Sequence, residues 1–351
     1  MLFLIVFGFL QPVTTLMLVC GLLSLNLCGI LYHFTKYSTS VKAVLAGRDT
    51  LSDNLPARRK RRIHNPLVNP KDTVNVAQLM PIHGRADLKL VDASWFMPGA
   101  GRDPRREFEQ SHIPGSVFFD IDEVVACSTP LPHMLPTPEQ FSKALIPLGL
   151  SHEDWIVVYD RIGVFSAPRL WWMLRVFGYQ RVSVLNGGFP AWQQAGGAVE
   201  QGDSRPQVSQ GSVHQVSPNY QLLAGLDQVA EALEQGHPKV VDARSAKRFL
   251  GEEPEPREGL RSGHMPGALN IPFGMLLDGC YLRPAPDLHQ LFLDQGIPEG
   301  ETVITTCGSG ITACVLALGL ALTGRSAIVY DGSWAEWGSI HGGEVVLGLV
   351  Q

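Results

Sequence analysis

From Asp72 onward, the apolar positions fall into two kinds of block. Short runs rich in β-branched and aromatic residues, bounded by turn formers, predict strands over 88–92, 117–119, 155–159, 181–185, 239–242, 268–271, 302–306 and 326–330. Segments with helical spacing lie between them and predict helices over 76–80, 168–177, 190–194, 226–233, 288–293, 312–322 and 334–337. Thr137-Pro138-Glu139 opens one more helix, with a capping hydroxyl followed by a proline at the first helical position. Strands and helices alternating in this way predict an α/β fold, a parallel sheet covered by helices on both faces.

The pattern then repeats. Residues 199–218 are rich in Gln, Ser, Gly and Pro, lack apolar periodicity and read as a linker. On either side the same motifs recur in the same order. Lys89-Leu90-Val91-Asp92-Ala93 returns as Lys239-Val240-Val241-Asp242-Ala243, and Ser111-His112-Ile113-Pro114-Gly115 returns as Gly263-His264-Met265-Pro266-Gly267. Asn186-Gly187-Gly188-Phe189 with Trp192 returns as Asp331-Gly332-Ser333 with Trp337. The organisation expected is a first domain over 73–200, a linker over 201–219 and a second domain over 220–351. The apolar tail 342–351 is expected to dock on the first domain.

What precedes the repeat differs in kind. Residues 1–32 carry no charged side chain, and 13–31 is about one bilayer span. No basic residue precedes this apolar run and no small-residue cleavage site follows it, so it is a poor signal peptide. A basic segment over 35–72 comes next, including Arg58-Arg59-Lys60-Arg61-Arg62. Positive charge on that side predicts a membrane anchor over 1–34 with the body of the protein in the cytoplasm. The competing expectation is a start site farther downstream and an unattached protein.

Composition narrows the function classes. The net charge of −5 leaves no nucleic-acid signature. The six cysteines are scattered without a CxxC pair, so neither a metal site nor a disulfide framework is expected, and their usage fits a reducing compartment.

The chemistry concentrates in Val303-Ile304-Thr305-Thr306-Cys307-Gly308-Ser309-Gly310-Ile311-Thr312-Ala313-Cys314. It reads as a strand, a glycine loop opened by a cysteine, and an apolar helix. Loops at the carboxyl ends of parallel strands are where open α/β sheets place their sites. Gly308 and Gly310 let the loop turn its N–H groups inward, and the helix directs its positive end to the same place. Cys307 is therefore read as a nucleophile. In the first repeat Asp160 stands where Cys307 stands in the second. A carboxylate cannot replace a sulfur nucleophile, so the first domain is read as non-catalytic. A cysteine phosphatase would need an arginine at position 313 to hold its phosphate; Ala313 argues against that chemistry.

The ordered recurrence of Asp-Ala, His-x-Pro-Gly and glycine-loop motifs over 72–338 resembles the two-domain rhodaneses. Within them, Cys307-Gly308-Ser309-Gly310-Ile311-Thr312 is similar to the active loop of the 3-mercaptopyruvate sulfurtransferases, whereas thiosulfate enzymes carry basic residues there. The resemblance implies tandem rhodanese-like domains that move sulfur from a keto-acid thiol donor to a thiol, such as thioredoxin or a small thiol, or to cyanide. It implies a Cys307 persulfide cradled by Gly308, Gly310, Ile311 and Thr312, and no cofactor. It further implies Arg248 and Arg257 as ligands of the substrate carboxylate, and a proton relay of Ser309, His112 and Asp103. Plainer readings stand beside these. The two arginines could be surface residues of a proline-rich loop. His112 and its counterpart His264 could both be bonded to backbone within their turns. Asp92 and Asp242 are read as turn braces, and Cys314 as helix packing or a thiol that resolves an oxidised Cys307. A thiosulfate sulfurtransferase and a membrane-tethered persulfide carrier are the alternative functions.

Overall fold

The structure, a computed structural model, describes residues 71–204 and 217–348. The expected anchor over 1–34 and nearly all of the basic segment lie outside these residues. Among the described residues, no helix is long and apolar enough to cross a membrane.

In the first half, β1 (Thr73–Val74), β2 (Leu88–Asp92), β3 (Val117–Phe118), β4 (Trp155–Tyr159) and β5 (Val182–Leu185) form a parallel sheet in the order β1-β5-β4-β2-β3. The second half repeats it with β6 (Leu223–Ala224), β7 (Lys239–Asp242), β8 (Leu269–Asn270), β11 (Thr302–Thr306) and β12 (Ser326–Tyr330), in the order β6-β12-β11-β7-β8. It adds one antiparallel hairpin, β9 (Leu277–Asp278) and β10 (Tyr281–Leu282). The helices of the first half are α1 (Val76–Leu79), α2 (Pro104–Gln110), α3 (Pro138–Leu145), α4 (Ala167–Val176) and α5 (Gly188–Gln194). Those of the second are α6 (Leu226–Gln235), α7 (Ala246–Leu250), α8 (Ala285–Asp294), α9 (Ala313–Leu322) and α10 (Ser333–Trp337).

Local chemistry sets several of these boundaries. Thr137 and Gln140 satisfy each other's backbone N–H groups at the start of α3, and Pro138 occupies the first turn. The short helices α2 and α7 were not foreseen, because each buries a single residue, Phe108 or Phe249, and so shows no apolar stripe. Asp103 starts α2 by accepting the Arg106 N–H at 3.0 Å. Ser245 caps α7, and Gly251 ends it in the left-handed conformation, with φ of 80°.

The two halves are held together by helices that have no polar face to give to solvent. In α9 every residue from Ala313 to Leu320 is buried, and in α4 all but Arg175 are. A helix apolar all round must be covered all round. Each lies on its own sheet and packs against the other, so one apolar core runs from Phe141 and Val158 through to Leu316 and Val303. Separate cores fill the far face of each sheet.

Polar contacts cross the same boundary in matched pairs. Asn186 Oδ1 accepts the Leu282 N–H at 2.8 Å, and its counterpart Asp331 accepts the Leu135 N–H through Oδ2 at 2.6 Å. Arg169, fully buried on α4, donates to Asp331 Oδ1 at 2.6 Å, to the His133 carbonyl, and at 3.4 Å to the Gly310 carbonyl in the cysteine loop. The hairpin tip closes over the first half: a Cβ on Gly163 would strike Cys280.

The tail corrects one expectation. It docks on its own half, where Val346 and His264 exchange two backbone hydrogen bonds of 2.9 and 3.0 Å. Glu200 and His112 make the same pair of bonds in the first half, both at 2.9 Å. The sequence motif had no partner to suggest for the tail; the repeat of this small bridge supplies it.

Two outcomes follow from the packing. Arg169→Ala leaves the buried Asp331 with the Leu135 N–H but without its counter-charge, which should destabilise the protein by roughly 3 to 5 kcal/mol in chemical denaturation. The second concerns Asp92, which braces its turn as expected: its Oδ1 accepts from the Ser94 N–H and hydroxyl, while Oδ2 has no hydrogen bond and faces Arg161 at 3.6 Å. Burial pushes its carboxyl up to about 6. The folded state then holds that proton more tightly than the unfolded chain, so its contribution to stability falls as pH rises from about 4 to about 6. Comparing melting temperatures across that window, Asp92→Asn should fall less than the wild type.

Candidate active site

Cys307 follows the last residue of β11, at the centre of the second sheet, and is 2% exposed. Its carbonyl accepts the Trp334 N–H at 2.9 Å and the Gly308 carbonyl accepts that of Ala335 at 2.9 Å. Its own N–H donates to Ser333 Oγ at 3.2 Å. The loop is thus tied on both sides to the start of α10.

The first half displays what such a loop binds. There the Asp160 carboxylate accepts five backbone N–H groups, from Ile162, Gly163, Phe165, Ser166 and Ala167, at 2.7 to 3.0 Å. The loop is an anion nest and Asp160 is its built-in anion. In the second half the amides of Ser309, Gly310, Thr312 and Ala313 occupy the matching places. They donate to no protein acceptor among the described residues, and Cys307 stands where the carboxylate would be. A negatively charged sulfur bound to Cys307 fits that donor set. Gly310, with φ of 80°, is confined by Arg169 and Asp331, and a Cβ on Gly308 would come 3.0 Å from Arg248 Nη2.

A cavity of about 240 Å3 opens in front of the loop. Trp95, Phe165, Phe273 and Ile311 give it an apolar wall, and Arg244, Arg248 and Arg257 give it positive charge. Arg248, carried by α7, is held by Glu255, with Nη2 2.5 Å from Oε2. Arg244 is buried deeper, bonded to Asp242 at 2.6 Å and Glu255 at 2.8 Å and stacked on Trp334. Asp242 also braces its turn by accepting the Arg244 N–H. Arg257 makes no hydrogen bond or ion pair among the described residues. Burial lowers its pKa from the ordinary guanidinium value, and Cys307 is the strongest influence opposing that. It is a half-buried cation with an unfilled binding capacity, suited to a carboxylate.

Ser309 is drawn into a chain of hydrogen bonds, but with different partners from those expected. His133 Nδ1 lies 3.0 Å from Ser309 Oγ, and His133 Nε2 lies 2.9 Å from Asp122 Oδ1. The indole N–H of Trp95 also donates to Asp122, at 3.0 and 3.1 Å, and Trp95 packs edge-on to the His133 ring. The His133 hydrogen bond holds the Asp122 carboxyl below its ordinary value. His112 and Asp103 are not part of this. Asp103 is the α2 cap. His112 is fully buried, stacked on Phe108, with Nδ1 2.8 Å from the Phe108 carbonyl. His264 repeats that arrangement with Phe249, at 2.9 Å. The two histidines thus make the same backbone bond and the same ring contact in both halves, and neither is hydrogen-bonded to Ser309.

Cys314 is a packing residue. Its thiol is fully buried and donates to the Gly310 carbonyl at 3.2 Å, and burial pushes its pKa up to about 12. His133, Asp122, Trp95, Arg244 and Glu255 escaped the sequence reading. The one local signal for His133 was its place in a proline-rich run, Pro130-Leu131-Pro132-His133-Met134-Leu135-Pro136, too irregular for helix or strand.

The rhodanese-like domain matches this chain twice, over residues 77–195 and 225–340. The chain is 43% identical to mouse 3-mercaptopyruvate sulfurtransferase over 254 residues, covering 71% of this chain and 84% of that one. It is 44% identical to the mitochondrial thiosulfate/3-mercaptopyruvate sulfurtransferase 1 of Arabidopsis thaliana, with 72% of each covered, and 41% identical to rat thiosulfate sulfurtransferase, with 71% and 84% covered. The crystal structure of the Escherichia coli 3-mercaptopyruvate enzyme SseA superposes with a TM-score of 0.69 at 36% identity, over 76% of this chain and 100% of that one. Identity alone does not separate the two donors, but together with the doubled fold it fixes the family: the chain is a member of the rhodanese-like family, with two such domains in tandem.

Proposed function

We propose that the protein transfers the sulfur of 3-mercaptopyruvate to a thiol acceptor through a persulfide on Cys307 and releases pyruvate. The observation that carries this reading is the meeting, at one cavity, of the nucleophile, an unpaired arginine and Ser309, behind which His133 and Asp122 complete a hydrogen-bonded chain.

Arg257 takes the substrate carboxylate, and Arg248, steadied by Glu255, directs the adjacent ketone. The donor sulfur is then presented to Cys307. The Cys307 sulfur attacks it, an S–S bond forms, and the C–S bond breaks with its electron pair passing into the enolate of pyruvate. The donor's thiol proton moves through Ser309 to His133 and returns to the enolate carbon, while Asp122 orients the ring and stabilises its charged form. The loop amides hold the persulfide. In the second step an acceptor thiolate attacks the outer sulfur and Cys307 is regenerated. The acceptor is a small thiol or a thioredoxin-class protein. A neighbouring cavity of about 430 Å3, lined by His133, Asp122 and Arg257, offers it a second approach to the same centre.

Leaving-group chemistry separates the donors. Thiosulfate would expel sulfite, which needs no proton to leave. Mercaptopyruvate expels an enolate, which does. The relay therefore favours the keto acid, as do the uncharged Gly308 and Ser309.

Cys307→Ser should abolish turnover of mercaptopyruvate. His133→Ala should lower kcat by about 10^2 to 10^4, the usual weight of a positioned acid–base group, while His112→Ala should spare kcat and act on stability alone. Arg257→Ala should raise KM for mercaptopyruvate by about tenfold or more, as befits the loss of a charge-assisted hydrogen bond. Steady-state kinetics of the four variants with both donors, and the melting temperature of His112→Ala, check these outcomes. Thiosulfate turnover equal to or faster than that of mercaptopyruvate would overturn the choice of donor.

A further inference from the structure

Two non-glycine residues among the described residues hold a left-handed backbone: His133, with φ of 61°, and Ser333, with φ of 49°. Such conformations persist where surrounding structure enforces them, and they gather at functional sites. Both residues touch the active loop. His133 reaches Ser309. Ser333 is fully buried, its Oγ accepting the Cys307 N–H at 3.2 Å and donating to the Tyr330 carbonyl at 2.8 Å.

The duplicated fold supplies an internal control. The counterpart of Ser333 is Gly188, with φ of 54°. The first half thus meets the same backbone requirement with the residue that meets it without strain. It also leaves no room for anything larger, since a Cβ on Gly188 would strike the Asp160 carbonyl. The catalytic half has made room at that point and accepted a strained serine. The gain visible there is a hydrogen bond to the peptide that carries the nucleophile.

We propose that Ser333 is a positioning residue for Cys307: its hydroxyl, anchored to Tyr330, fixes the N-terminal peptide of the cysteine while Trp334 N–H fixes the C-terminal one. This sets the direction of the sulfur toward the donor and keeps the Cys307 N–H out of the nest, so that the loop amides beyond it alone receive the persulfide. The inference rests on Cys307 being the sulfur-accepting residue.

Ser333→Gly is the informative variant, because glycine adopts the required φ freely and offsets the lost hydroxyl. Its melting temperature should stay within a few degrees of the wild type. Its kcat with mercaptopyruvate and its single-turnover rate of persulfide formation should both fall by about tenfold or more, the scale expected of a small misplacement of a nucleophile. KM should change little, because Arg248 and Arg257 are untouched. Ser333→Ala, which also lacks the hydroxyl but keeps a Cβ, should show the same loss of rate. Wild-type kcat in Ser333→Gly, or full activity in Ser333→Ala, would overturn the proposal, as would a loss that disappears at a temperature where the variant is fully folded. Intact-mass measurement of the persulfide, made with mercaptopyruvate and with thiosulfate, keeps this test separate from the donor assignment. If only thiosulfate loads the wild type, the donor reading fails while the effect of Ser333 is still read from that loading rate.

Discussion

Backbone N–H groups turned into a closed loop need an acceptor, and in this molecule that need organises both halves. Each central strand ends in such a loop, and each following helix adds its own free amides to it. The first half answers with a fixed carboxylate, Asp160, held by five hydrogen bonds. The second half puts Cys307 in that place and leaves the amides of Ser309, Gly310, Thr312 and Ala313 without a protein acceptor among the described residues, the donor set that the proposed persulfide would fill. One arrangement is structural and the other chemical, and the difference lies in a single side chain placed on the same backbone device.

The halves also complete each other. Because α4 and α9 lack polar faces, neither sheet is covered without its neighbour. Across that join the exchange is unequal. The second half sends the β9–β10 hairpin over the Asp160 loop, with Cys280 against Gly163 and the Tyr281 ring against Gly187. The first half sends His133, Asp122, Trp95 and Arg169 to the cysteine loop. The result is a closed loop on one side and a cavity on the other, although both grew from the same plan.

The sequence made the strands, the doubling and the cysteine loop readable. Runs such as Trp155-Ile156-Val157-Val158-Tyr159 can hardly be anything but buried strands, and motifs that recur in order leave little choice of topology. The relay was not readable. Ser309 and His133 are separated by 176 positions and meet only through the packing of two halves. The histidine itself sits among prolines, where no period marks it. A histidine in a recognisable motif, His112, attracted the assignment instead. Its twin His264 already offered the corrective, since a role that depends on Cys307 has no reason to recur beside Asp160. Arg248 and Arg257 could be singled out only through the family resemblance, and nothing in their spacing foretold that Glu255 would occupy one and leave the other free.

Seen as history, the composite site works as a ratchet. A duplicated domain is at first redundant, and either copy could be lost. Once the histidine that bonds Ser309 and the arginine that bonds Gly310 came from the copy without the thiol, the two copies were no longer equivalent. Arg169 marks that point in physical form: it is buried in one half, yet three of its bonds serve the site of the other. The half without the thiol thus builds part of the wall around Cys307, and a single unit cut from the chain would lack that wall.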